Sequence, residues 1–174
     1  RTIGPTRGRE FASPGVREPI EHPAGRGFTF TGVSMGNPHA VIFVADEDPV
    51  VLAKALGPGL EKHGRFPRKV NVEFVRPEPD GTYTVGVWER GAGLTAACGT
   101  GACAIGVAAC LEGRARPGTP LTLLLPGGPL GIEVASDLDQ VFLEGPATLV
   151  YSGSVDPAGL PTVEACLRLQ SALA

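Results

Sequence analysis

The segment from Gly99 to Glu112 constrains the fold more than any other. It reads Gly-Thr-Gly-Ala-Cys-Ala-Ile-Gly-Val-Ala-Ala-Cys-Leu-Glu, small and apolar almost all the way round. A helix with one apolar stripe needs cover on one side, whereas a helix apolar on every side has to be buried on every side. Gly113 ends it. In a chain of 174 residues, enough for one domain with a real core, the cover has to come from the strands before and after it.

Those strands are legible as short apolar or alternating runs between turns. Gly27–Val33 alternates, Ala40–Val44 is apolar throughout, and Met35-Gly36-Asn37-Pro38-His39 turns between them. Val70–Val75 and Thr82–Trp88 flank Pro79-Asp80-Gly81 as a hairpin, and Leu121–Leu125, Leu130–Val134, Val141–Leu143 and Ala147–Tyr151 follow the buried helix. A second helix opens at Asp46-Glu47-Asp48-Pro49, with Val51, Leu52, Ala55 and Leu56 as its apolar face and Gly57-Pro58-Gly59 as its stop. A short amphipathic helix is expected over Val163–Leu173. Residues 1–26, rich in Pro, Gly and Arg and without periodicity, read as an extended arm or inter-domain linker before a domain over 27–174. The fold class is α+β: a mixed or antiparallel sheet curled around one buried central helix.

Composition excludes several roles. The net charge is −3 with both signs scattered, which gives no footprint for nucleic acid or an anionic membrane surface. No apolar run approaches the roughly 18–20 residues that span a bilayer. Four cysteines (Cys98, Cys103, Cys110 and Cys166) show neither a disulfide framework nor the short paired spacing of a zinc site. Reduced thiols in the cytoplasm are the expectation, with no metal.

The chemistry gathers at the mouth of the buried helix. Cys98 stands at or just before its first turn, where free N–H groups and the positive end of the helix dipole favour thiolate over thiol. The same N–H groups can hold a small anion such as a carboxylate. A base and an anion hole would then lie side by side. The competing reading makes Cys98 a small buried residue and Thr100 a helix cap. Glu89 and Arg90 leave a strand beside Trp88 and join Cys98 through a Gly-rich loop; elsewhere such a doublet is a surface pair. His39, at a corner between two strands, is either a structural histidine or a proton partner for a thiol. Asn71, polar within an apolar run, is buried and hydrogen-bonded or faces a ligand. His22 and His63 lie in polar segments and are expected at the surface.

Three segments, Met35-Gly36-Asn37-Pro38-His39-Ala40-Val41, Val70-Asn71-Val72-Glu73-Phe74 and Glu89 through Ala102, together resemble the diaminopimelate epimerase family in order and spacing, over roughly residues 30–150. Cys98-Gly99-Thr100-Gly101 alone would also fit proline racemase and its relatives. The resemblance implies an isomerase that interconverts LL- and meso-diaminopimelate, a lysine and peptidoglycan precursor, without pyridoxal phosphate or metal. It implies two similar domains facing across a cleft, each donating a cysteine to one face of the substrate α-carbon. Cys98 would be the cysteine of the second domain, Glu89 its acid/base neighbour, and His39 the partner of the cysteine from the other domain. Gly99 and Thr100 would bind the reacting carboxylate through backbone N–H groups. Asn37, Asn71 and Arg90 would hold the distal end, where the fork of Arg90 suits a carboxylate.

Two departures stand out. Leu94 takes a place where the family often has glutamate. The Cys-Gly-Asn-Gly-type segment of the first domain has no counterpart, and Cys103, Cys110 and Cys166 are ill placed to replace its cysteine. The expectation is therefore a C-terminal half whose partner is the N-terminal domain, inactive alone and homodimeric when whole. The alternatives are a proline or hydroxyproline epimerase, and a non-catalytic module with a reactive thiol.

Overall fold

The computed structural model describes residues 15–154 and 156. The chain runs β1 (Glu18–Glu21), β2 (Gly27–Ser34), β3 (Pro38–Phe43), α1 (Pro49–Glu61), β4 (Asn71–Pro77), β5 (Tyr83–Glu89), β6 (Gly93–Thr95), α2 (Gly99–Leu111), β7 (Leu121–Leu125), β8 (Gly128–Val134) and β9 (Val141–Glu144). It is a mixed α+β fold dominated by one sheet, ordered β1-β2-β3-β4-β5-β7-β8-β9, with β6 hanging on β5. Neighbouring strands pair antiparallel except β3 with β4 and β5 with β7, which are parallel. A parallel pair needs a long crossover, and the two helices supply it: α1 joins β3 to β4, and α2 lies on the path from β5 to β7.

Period-two alternation sorts the strands between the helices. Ala40, Ile42, Val72 and Phe74 pack with Leu52, Ala53 and Leu60 of α1. Val41, Val75, Val85 and Val87 pack with Ala102, Ile105, Val107 and Ala108 of α2. The two helices thus cover opposite faces. Along α2, residues from Gly101 to Ala109 are buried except Cys103, and the helix touches β2, β3, β4, β8 and β9.

The structure corrects several sequence expectations. Regular structure begins at Glu18 rather than Gly27, because β1 pairs with β2 from Glu18↔Phe30 to Glu21↔Gly27. This corrects the reading of an irregular arm for the described part of residues 1–26. The same hairpin folds His22 into the core, only 8% exposed. Helix α1 does not stop at Gly57-Pro58-Gly59 but runs to Glu61. A Cβ at Gly57 would stand 2.4 Å from Trp88, and one at Gly59 2.3 Å from His22 Nε2, so these glycines let the helix lie close on its neighbours. That packing, with Leu60 buried, outweighs the loss of a helical hydrogen bond at Pro58. The buried face of α1 is Pro49, Leu52, Ala53, Gly57 and Leu60; Val51 is 62% exposed. Residues Ala147–Tyr151 form no strand, and Leu149, Val150 and Tyr151 stand exposed. Their apolar run has no ladder partner among the described residues, and a strand needs one. The helix expected at Val163–Leu173, with Cys166, lies outside the described residues.

Candidate functional site

Odd-numbered residues of β3, β4 and β5 face α2, so the alternation that builds the core also aims His39, Asn71, Glu73 and Glu89 to that side. The ladder sets His39 beside Asn71 and Val41 beside Glu73. The N-terminus of α2 meets this end of the sheet. The loop ahead of it is fixed by Gly127 in the β7–β8 turn, whose N–H donates to the Ala96 carbonyl at 2.8 Å.

Cys98 is the N-cap of α2. Its backbone is extended, and its Sγ accepts from the Gly101 N–H at 3.3 Å, the position a Ser or Thr oxygen takes in an ordinary cap. The cap is thus Cys98 itself, not Thr100. Sγ also lies 3.5 Å from Thr100 Oγ1. Gly99 and Thr100 are exposed at the helix mouth, in the first turn whose N–H groups no helical carbonyl can take.

From Thr100 a polar chain runs inward. Asn37 Nδ2 reaches Thr100 Oγ1 at 3.4 Å, and Asn37 Oδ1 faces His39 Nε2 at 3.1 Å. On the other side of the ring, His39 Nδ1 lies 2.6 Å from Glu73 Oε1. His39 and Glu73 are both fully buried, and Glu73 Oε2 has no hydrogen-bond partner among the described residues.

The second strand of the site is braced by backbone contacts. Asn71 donates from Nδ2 to the Pro38 carbonyl at 2.9 Å and accepts at Oδ1 from the Arg90 N–H at 2.8 Å. It ties the start of β3 to the end of β5. Glu89 is half-buried, and its Oε1 accepts from Thr95 Oγ1 on β6 at 2.7 Å. Arg90 is exposed and donates from Nη1 to the Arg68 carbonyl at 3.0 Å. Behind this turn Glu61 accepts from Trp88 Nε1 at 2.8 Å and from the Gly91 N–H at 3.3 Å. Burial pushes the Glu61 carboxyl up, but these donors and Lys69 outweigh it and hold it below the usual carboxylate range.

The thiol behaves differently from the helix-dipole expectation. Burial pushes the Cys98 thiol above its ordinary range; the Thr100 hydroxyl and the Gly101 N–H pull it down, while the charges of Glu73 and Glu89 push it further up. Desolvation and two carboxylates outweigh the contacts from Thr100 and Gly101. The Cys103 thiol, further along the helix, is likewise pushed up by its burial and by Cys98.

The structure therefore links Cys98, Thr100, Asn37 and His39 in one chain of contacts, and Glu89 acts on Cys98 through its charge. Asn71 and Arg90 join the set through backbone. Leu94 lies opposite Trp88 in the β5–β6 ladder, 40% exposed. Two participants have no assigned role in the sequence reading, Glu73 and Thr95. Glu73 was findable: it stands two residues from Asn71 in a strand, so it faces the same way, and a carboxylate within Val-Asn-Val-Glu-Phe-Val has to be partnered.

Known proteins bear on this site. The diaminopimelate epimerase family model matches residues 31–150. Diaminopimelate epimerase of Desulfitobacterium hafniense is 51% identical over 129 residues, covering 74% of this chain and 44% of that protein. That of Acaryochloris marina is 44% identical over 149 residues, covering 86% and 51%. The chain thus spans about half the length of these relatives. Among solved structures, a hydroxyproline epimerase from Agrobacterium vitis aligns with TM-score 0.52 at 18% identity, covering 69% of this chain and 40% of that one. A probable proline racemase from Agrobacterium radiobacter aligns with TM-score 0.53 at 16% identity, covering 94% and 57%. These structures share the fold. With the family model matching well over half the chain, the chain belongs to the diaminopimelate epimerase family.

Proposed function

We propose that this chain supplies one half of a diaminopimelate epimerase site, with Cys98 as the acid/base group for one face of the substrate α-carbon. The observation that carries this reading is the linked set Cys98–Thr100–Asn37–His39 at the open mouth of α2, in a chain of this family. An N-terminal domain supplies the second cysteine, whose partner is His39. The relatives' double length supports two such halves. The sheet curls around α2 as a central helix in this reading, supported by contacts of α2 with strands from both ends of the ladder.

Inversion needs two groups, because a single base returns the proton to the face it left. The opposite cysteine, as thiolate, takes the α-proton; the electron pair of the broken C–H bond moves into the carboxylate-stabilised carbanion. Cys98 then delivers its S–H proton to the other face and is left as thiolate, and the reverse reaction runs through the same atoms. The raised Cys98 thiol suits it to start as donor. The Gly99 and Thr100 N–H groups hold the reacting carboxylate at the helix mouth, where negative charge develops. Glu89 resets Cys98, returning a proton to the thiolate after forward turnover and taking one from the thiol before the reverse reaction. Asn37 and Arg90 hold the distal amino-acid end, and Asn71 fixes the Arg90 backbone for that contact. The side chains supply the acid and base without pyridoxal phosphate or a metal, and the setting is cytoplasmic. The whole enzyme is a homodimer.

The test is reconstitution. The chain is mixed with an N-terminal half carrying the Cys-Gly-Asn-Gly segment, and α-hydrogen exchange of LL-diaminopimelate is followed in deuterated water. Exchange by the pair, and none by this chain alone, is the expected result. No exchange from a folded pair with reduced Cys98 contradicts the reading, and preference for proline over diaminopimelate moves it to a proline-type epimerase.

A further inference from the structure

Glu73 has no place in the proposed reaction, yet it is the most deeply enclosed charged side chain near it. It is fully buried, one oxygen 2.6 Å from His39 Nδ1 and the other without a partner among the described residues. It also reaches α2. The position a Gly101 side chain would occupy is 3.0 Å from Glu73 Oε1 and 3.3 Å from Cys98 Sγ, so carboxylate and thiol both crowd the first turn of the helix at one glycine. The carboxylate thus touches one acid/base candidate and adjoins the other.

We propose that Glu73 is a positioning residue that serves both: its carboxyl anchors the His39 ring at Nδ1 and stands beside the Cys98 thiol at the first turn of α2. With Nδ1 held on Glu73, Nε2 is the ring nitrogen turned to Asn37 Oδ1, and the Asn37 amide leads on to Thr100 and the helix mouth. The titratable groups around the thiol are His39 from β3, Glu73 from β4, Glu89 from β5 and Cys103 from α2 itself. Of these, Glu73 and Glu89 act on Cys98 in the same sense as its burial. The consequence is a division of labour: Cys98 is poised to give a proton, and the site's base comes from elsewhere. This consequence rests on the reading of Cys98 as an acid/base group; the placement of the charge does not.

The experiment uses the full chain without substrate, so its outcome is separate from whether an epimerase forms. Iodoacetamide labelling of Cys98 is followed peptide by peptide across pH in the native chain, in Glu73→Gln and in Glu73→Asp. Glu73→Gln is expected to label roughly three- to tenfold faster near pH 8, its profile moved to lower pH. Glu73→Asp, which keeps the charge, is expected to stay near the native profile. Equal acceleration in both variants means loosened packing and overturns the proposal, as does no acceleration in Glu73→Gln. If Glu73→Gln does not fold, ring-15N spectra of the native chain and of Glu73→Asp decide. A displaced His39 Nδ1 resonance in Glu73→Asp is expected, and an unmoved one contradicts the proposal.

Discussion

Helices α1 and α2 invite comparison. Each has 13 residues, serves as crossover between parallel strands, and starts from a capping side chain. Asp48 caps α1 with an exposed carboxylate that accepts from Val50 N–H at 2.8 Å and Val51 N–H at 3.2 Å. Cys98 caps α2 with one long sulfur contact, and it is buried. For stability alone the first is the better choice, since an anion satisfies two orphan N–H groups at the positive helix end. The second helix gives up that cap for a thiol. The difference accords with the proposed reading, in which α1 is capped for stability and the mouth of α2 carries chemistry. A similar contrast holds for the buried carboxylates: Glu61, the last residue of α1, has donors on both oxygens, whereas Glu73 beside α2 leaves one bare among the described residues.

The comparison can be broken at several points. Cys98→Ser keeps a cap and removes the thiol. It is expected to lower α-hydrogen exchange in the reconstituted pair by roughly 10²–10⁴-fold, with urea stability unchanged or slightly raised. A loss of stability with exchange kept would reverse the assignment. Glu61→Ala strips half-buried Trp88 of the acceptor at Nε1 and is expected to cost about 1–3 kcal/mol, seen as a lower urea midpoint. Asp48→Ala is expected to cost about 1 kcal/mol in the same measurement and to leave exchange alone. The smallest effect concerns pH. Burial raises the Cys98, Cys103 and Cys110 thiols in the folded state, so that state holds protons the unfolded chain has released. Stability is expected to be level below the ordinary thiol range, about pH 8.5, and to decline above it until the folded thiols ionise. Chemical denaturation from pH 7 to 10 checks the sign; a rise would contradict the raised thiols.

Much of this fold is legible in local pattern. The strand Leu121–Leu125 and the helix from Gly99 are readable because apolar period, Gly punctuation and cap residues agree. The failures have a common physical cause, tertiary contact overriding local preference. Gly57-Pro58-Gly59 is a breaker by composition, but packing of Gly57 on Trp88 and Gly59 on His22 carries the helix through. Ala147–Tyr151 has strand residues without a partner, and Glu18–Glu21 has a partner without strand-like residues. At the site, Asn37, His39 and Cys98 are legible from their motifs. The carboxylate behind His39 needs the parallel register of β3 and β4, and the sign of the thiol shift needs the burial of Cys98, neither of which a sequence displays.

The most direct test sets the two caps against each other in one assay. Deuterium exchange at the α-carbon of LL-diaminopimelate is measured for the reconstituted pair built with the native chain, Cys98→Ser and Asp48→Ala. The account expects exchange to fall by roughly 10²–10⁴-fold with Cys98→Ser and to persist with Asp48→Ala. Full exchange by the Cys98→Ser pair would contradict it.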